Sequence, residues 1–125
     1  MIKIGGWMSK PVISAKPDDS VISAVKKMAR HNIGCLVIQE GSKKIHGILT
    51  ERDVLKKAVA SQKDASKLKI KDIMTKNVKT VDINSSVLYL MHLMKKGRFR
   101  DTPITKDGKV VGVITSQDII GMLAV

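Results

Sequence analysis

Two short stretches hold the residue types from which chemistry could be built: Gly47-Ile48-Leu49-Thr50-Glu51-Arg52-Asp53 and Gly112-Val113-Ile114-Thr115-Ser116-Gln117-Asp118. Each sets a threonine three residues before an aspartate. Where a strand runs into a helix, unpaired N–H groups and the positive end of the helix dipole suit a phosphate. The threonine hydroxyl can donate to a phosphate oxygen, and the aspartate one turn on can accept from paired ribose hydroxyls. A plainer reading needs no ligand. Thr50 and Thr115 are then helix N-caps, Asp53 and Asp118 the reciprocal acids of capping boxes, and Gly47 and Gly112 relieve crowding in a strand. Both readings stand on the residues alone, and the duplication keeps the ligand in contention.

The other reactive side chains do not converge. His31, His46 and His92 fall in unrelated parts of the chain, and no Cys or His cluster has metal-ligand spacing. Cys35 lies in an apolar run and is expected as a small buried hydrophobe. There is no Walker loop and no nucleophile with an acid–base partner at plausible spacing. The expectation is a protein with no catalytic residue and no metal, not an enzyme.

The elements that must position the two threonine–aspartate corners come from a chain written twice. Displacement by 66 residues sets Met8-Ser9-Lys10-Pro11-Val12 on Met74-Thr75-Lys76-Asn77-Val78, Ser20-Val21 on Ser86-Val87 and Met28 on Met94. After one extra residue in the first copy's turn the displacement is 65, and Gly47–Asp53 falls on Gly112–Asp118. Repeat 1 covers 8–60, a linker 61–72, and repeat 2 73–125. Residues 11–15 and 77–81 predict short opening strands. Asp18-Asp19-Ser20 and Asn84-Ser85-Ser86 predict helix N-caps. Val21, Ala24, Val25, Met28 and Ala29 then form one helical stripe, matched by Val87, Leu90, Met91 and Met94. The apolar runs Cys35–Ile38 and Thr102–Ile104 lead through turns at 40–44 and 106–109 into second strands at 45–49 and 110–114. Helices follow at 51–60 and 116–124. The expected fold class is α/β: two βαββα repeats with pseudo-two-fold symmetry, packed through their sheets. Leu88, Leu93 and the C-terminal Ile119–Val125 leave apolar helix surface over, which predicts a homodimer built on helices.

Composition limits the function classes. The chain has 125 residues, 43% hydrophobic and 2% aromatic, enough for one compact domain or two small subdomains and too apolar for disorder. No apolar run approaches the ~20 residues of a membrane span. Residues 1–10 lack the apolar core of a secretion signal, and a lone Cys35 fits a reducing compartment. The expected location is the cytoplasm. Lys plus Arg is 23 against 11 Asp plus Glu, a formal charge of +12. That charge attracts nucleic acids and anionic metabolites alike. The lysines are dispersed, however, and the densest stretch, Lys63 to Lys79, is interrupted by Asp64 and Asp72 and reads as a solvated linker. Trp7, Tyr89 and Phe99 are the only aromatics, too few for a stacking platform. The charge permits nucleic-acid binding without arguing for it.

The paired units, with their Met-x-x-x-Val openings and Gly-h-h-Thr-x-x-Asp closings, resemble a tandem cystathionine β-synthase (CBS) domain pair, or Bateman module, over nearly the whole chain. The resemblance implies no required cofactor. It implies a regulatory ligand of the adenine-nucleotide type (AMP, ADP or ATP, with S-adenosylmethionine as a further option) in clefts between repeats, and an effector protein as the recipient of the signal. One ligand group would comprise Thr50, Arg52 and Asp53 with Lys79, Thr80, Phe99 and Arg100; Asp53 would hold ribose, and Thr50, Arg52 and Arg100 phosphate. The other would comprise Thr115, Gln117 and Asp118 with Ile13, Ser14, Ile33 and Gly34. Nucleotide-binding members that resemble the AMP-activated kinase regulatory subunit often carry a His-Arg pair before the middle strand, where this chain has Arg100-Asp101 and Gly34-Cys35. Asp101 would repel phosphate and Gly34-Cys35 brings no charge, so the Asp53 group is expected to be the better equipped. The alternatives are a nucleic-acid-associated basic protein and a structural adaptor with vestigial clefts.

Overall fold

A computed structural model describes residues 3–41 and 45–124. Ser42 to Lys44 of the expected first turn, and Val125, lie outside the described residues.

Residues 13–78 and residues 1–12 with 79–125 form two compact units. In the first, helix α1 (Val21–His31) starts where the Ser20 side chain accepts the Ser23 N–H. It ends at Asn32, in the left-handed region at φ 53°. Its stripe Val21, Ala24 and Met28 packs on Leu36, Ile38 and Leu49. These belong to a three-stranded sheet of β1 (Ser14–Ala15), β2 (Cys35–Ile38) and β3 (Gly47–Thr50), with β2 in the middle, parallel to β1 and antiparallel to β3. Helix α2 (Glu51–Val54) leaves β3 directly and widens into a π turn over Leu55–Val59, which Ala60 N–H closes on the Leu55 carbonyl.

The segment read as a solvated linker is packed instead. Leu68 accepts the Val21 N–H, and Ile70 and Ile73 of the short helix α3 (Ile70–Ile73) are buried in the core of this unit. Lysine density misled the reading: the lysines are exposed, but Ala65, Leu68, Ile70 and Ile73 alternate with them and face inward. The opening strands are also shorter than expected, Ser14–Ala15 in place of 11–15 and, in the other unit, β4 (Val81–Asp82) in place of 77–81. Pro11 has no N–H for a ladder, and Asn77 sits at φ 56°, outside the strand region.

The second unit repeats the plan. Helix α4 (Val87–Gly97) is capped by Ser86, which accepts the Tyr89 N–H. It packs Leu90 and Met94 against Ile104 and Ile114 of β5 (Asp101–Lys106) and β6 (Lys109–Thr115). The β4-β5-β6 sheet has the same order and directions as the first. Asp107 and Gly108, both at positive φ (52° and 78°), make the tight two-residue turn that suits a hairpin. Helix α5 (Ser116–Leu123) closes the unit.

Each unit is completed by a lead segment from before the other repeat's helix. Thr75 exchanges two backbone hydrogen bonds with Ile48 (3.0 and 2.9 Å), and Ser9 does the same with Val113 (2.9 and 3.3 Å). Gly47 and Gly112 lie beneath these crossings. A methyl at Gly47 would overlap the Thr75 carbonyl, and one at Gly112 would come within 2.5 Å of Met8 Sδ. The units therefore cut the chain differently from the repeat bounds: residues 8–12 pack with the second repeat and 73–78 with the first.

Candidate functional site

In each sheet the N-terminal ends of the first two strands and the C-terminal end of the third meet at one edge. Thr50 pairs with Cys35, and the Glu51 N–H donates to the Gly34 carbonyl at 3.0 Å. In the other sheet Thr115 pairs with Asp101, and the Ser116 N–H donates to the Arg100 carbonyl at 2.8 Å. One edge thus gathers Ile13, Ser14, Ile33, Gly34, Thr50, Arg52 and Asp53; the other gathers Lys79, Thr80, Phe99, Arg100, Thr115, Gln117 and Asp118. The two ligand groups implied by the resemblance each draw on both units.

Both capping boxes are present. Thr50 Oγ1 accepts the Asp53 N–H (3.1 Å) and Asp53 Oδ2 accepts the Thr50 N–H (3.0 Å); the Thr115–Asp118 pair repeats this at 3.3 and 2.8 Å. Beyond the boxes the corners differ. Asp53 is only 7% exposed. It also accepts from the Thr75 hydroxyl, at 3.0 and 3.1 Å to its two oxygens, and pairs with Lys57 at 3.0 Å. Asp118 is half-buried, and both its donors come from Thr115 and converge on Oδ2. Thr75 and Lys57 are contributors that the sequence reading missed. Thr75 lies opposite Ser9 in the repeat alignment, a hydroxyl at both places, and Lys57 is one turn after Asp53; those two clues were there to be used.

The other expected site residues divide by environment. Arg52, Gln117, Lys79, Thr80 and Arg100 are exposed and can turn toward a ligand. Ile13, Ile33 and Phe99 are partly engaged by the cores of their own units. The Ser14 carbonyl accepts from Lys27 Nζ at 2.8 Å. The Glu51 carboxyl lies where a side chain at Gly34 would be, 3.0 Å from that position, so this edge carries an acid next to its chargeless Gly34. His31 and His92 are exposed, and His46 lies 3.6 Å from Glu40. Among the described residues no three His, Cys, Asp or Glu side chains come together as a metal site would require, and no helix is long and apolar enough to cross a membrane.

The repeated order of strand, helix and capped corner has a counterpart among known proteins. The CBS domain pattern matches residues 4–60 and again 70–125. The chain belongs to the CBS-domain family. Both matched stretches start at a lead isoleucine, Ile4 or Ile70, buried in the core of its unit. A crystal structure of a CBS domain, NE2398, is similar over 100% of both chains, with a TM-score of 0.91 and 34% identity. A CBS-domain pair from protein MJ0100, in complex with 5′-methylthioadenosine and S-adenosyl-L-methionine, is 33% identical with a TM-score of 0.88, covering 98% of this chain and 99% of that one. A mitochondrial CBS domain-containing protein of Arabidopsis thaliana, CBSX3, is 37% identical over 107 residues, 82% of this chain. The chain spans about half (52%) of the length of that relative.

Proposed function

We propose that this CBS-domain pair is a regulatory module, not a catalyst, that binds an adenosyl ligand and reports its level to a separate effector protein. The observation that carries the reading is the pair of equivalent sheet edges, each with a threonine-capped helix start. The MJ0100 pair, a third identical in sequence, is in complex with two adenosyl compounds. The ligand class is therefore an adenine nucleotide (AMP, ADP or ATP) or S-adenosylmethionine, held at the edges by Thr115, Gln117 and Asp118, by Thr50 and Arg52, and by exposed Lys79, Thr80 and Arg100. A ligand that favours one conformation of the module shifts its population, and the effector reads the shift. Leu88 (76% exposed), Tyr89, Ile120 and Leu123 on α4 and α5 support a homodimer formed through these helices. The buried lone Cys35 fits a reducing compartment, and we propose the cytoplasm.

A thermal-shift panel of AMP, ADP, ATP, S-adenosylmethionine and 5′-methylthioadenosine tests the reading. A ligand at about 100 times its Kd stabilises by ~2.7 kcal/mol, which for a chain of this size raises Tm by roughly 5–15 °C. Asp118→Ala should lessen that rise, because the Thr50 and Arg52 group is left intact. No rise with any of the five compounds would end the adenosyl reading.

A further inference from the structure

A carboxylate offers about four lone-pair sites. On Asp53 four donors occupy them: the Thr50 N–H and hydroxyl on Oδ2, the Lys57 ammonium on Oδ1, and the Thr75 hydroxyl between the two oxygens. Lys57 also donates to the Ile73 carbonyl at 3.0 Å. Two groups of the 73–75 segment thus hang on one buried carboxylate and its lysine. A ribose diol arriving here would have to evict Thr75 or Lys57, and would gain only what those donors already supply.

We infer that Asp53 is a structural latch and not a ligand acceptor. It fastens α2 to the Ile73–Thr75 segment, and the adenosyl ligand is held without its carboxylate. The first half of this inference is independent of any ligand; the second rests on the proposed adenosyl reading. The other repeat shows how the same motif is left unlatched. Met122, which has no donor, stands where Lys57 stands. Ser9 stands where Thr75 stands, but its hydroxyl makes no hydrogen bond to Asp118 among the described residues. Asp118 therefore keeps Oδ1 without a donor among the described residues. The expected ranking of the two corners, with Asp53 the better equipped, turns round: its extra polar neighbours are what occupy it.

The test is a double-variant cycle on Asp53→Asn and Thr75→Val, with Thr75→Ser as the conservative control, each melted alone and with saturating AMP or S-adenosylmethionine. Loss of a hydrogen bond to a buried charge should lower Tm by roughly 5–10 °C in Thr75→Val. Thr75→Ser should stay near the parent. The double variant should lose clearly less than the sum of the two singles, because they break one interaction. The ligand-induced rise should persist in Asp53→Asn and Thr75→Val. Additive losses, or a Thr75→Val protein as stable as the parent, would overturn the latch. A ligand rise lost in Asp53→Asn but kept in Thr75→Val would make Asp53 an acceptor after all. Should Asp53→Asn not fold, the Thr75→Val and Thr75→Ser pair still decides the latch through its stability difference. If none of the five panel compounds shifts the parent protein, the adenosyl reading fails while the cycle still tests the latch.

Discussion

Adding a single methyl group at Gly47 should cost more than adding one anywhere else among the glycines of the two sheets. The methyl would overlap the carbonyl oxygen of Thr75, a backbone atom held in place by two hydrogen bonds to Ile48 (3.0 and 2.9 Å). Losing those bonds costs about 0.5–1.5 kcal/mol each, and displacing the packed segment about 1–3 kcal/mol more. The stiffer unfolded chain returns about 0.4–1 kcal/mol. The balance for Gly47→Ala is a loss centred on about 3 kcal/mol. Gly112→Ala meets the Met8 side chain, its sulfur 2.5 Å and its Cγ 2.7 Å away. A thioether chain can swing aside, so that variant should lose only about 1–2 kcal/mol. Gly6→Ala, with no atom within 4 Å, should stay within about 0.5 kcal/mol of the parent. Urea unfolding measures all three, and amide exchange at Ile48 and Thr75 should speed up only in Gly47→Ala. Equal losses for Gly47→Ala and Gly112→Ala, or unchanged exchange at Thr75, would refute the reasoning.

Two further outcomes follow from single side chains. The Thr102 hydroxyl is fully buried on β5 without a hydrogen-bond partner among the described residues. Thr102→Val should therefore raise stability by about 1–2 kcal/mol in chemical denaturation; a loss would mean the hydroxyl has a partner in solution. The Lys71 ammonium, 2.9 Å from Asp18, holds the Asp18 carboxyl below the usual aspartate range by hydrogen bond and charge, and Asp18 in turn raises Lys71. The Asp18 contribution is present above the ordinary aspartate pKa and is lost as pH falls through its lowered value; that of Lys71 is present below the ordinary lysine pKa and is lost as pH rises through its raised value. Both groups are exposed, so the effect on stability is slight. The clean readout is NMR titration of Asp18, which should rise toward the usual range in Lys71→Met while Lys69, 3.7 Å away, still holds it down in part.

What was legible in the sequence was local. Ser20 and Ser86 cap their helices, the Thr–Asp pairs close their boxes, and Gly47 and Gly112 lie under crowded crossings, because each depends on neighbours within a few residues or on the repeat itself. The long-range choices were not legible. Which sheet a lead segment joins is decided by where Ile4 and Ile70 find a core, and periodicity carries no address. The same holds for the candidate site. The Thr50–Asp53 corner could be read as a cap or as a ligand corner, but Thr75, 22 residues away, decides how much of Asp53 remains to offer.

The lead packing also bears on the order in which the molecule can be made. Residues 13–78 form their unit from one continuous stretch of chain and can pack its core while later chain is still being synthesised. Ile4, Trp7 and Met8, by contrast, emerge before residues 13–78 and must wait for strands and a helix that reach to Met122 before their apolar surface is covered. During that interval they are a greasy tag on an otherwise finished half. Cutting the gene between the repeats at 61–72 would strand each lead with the wrong fragment, so two separately expressed halves should each be deficient and recover only when mixed.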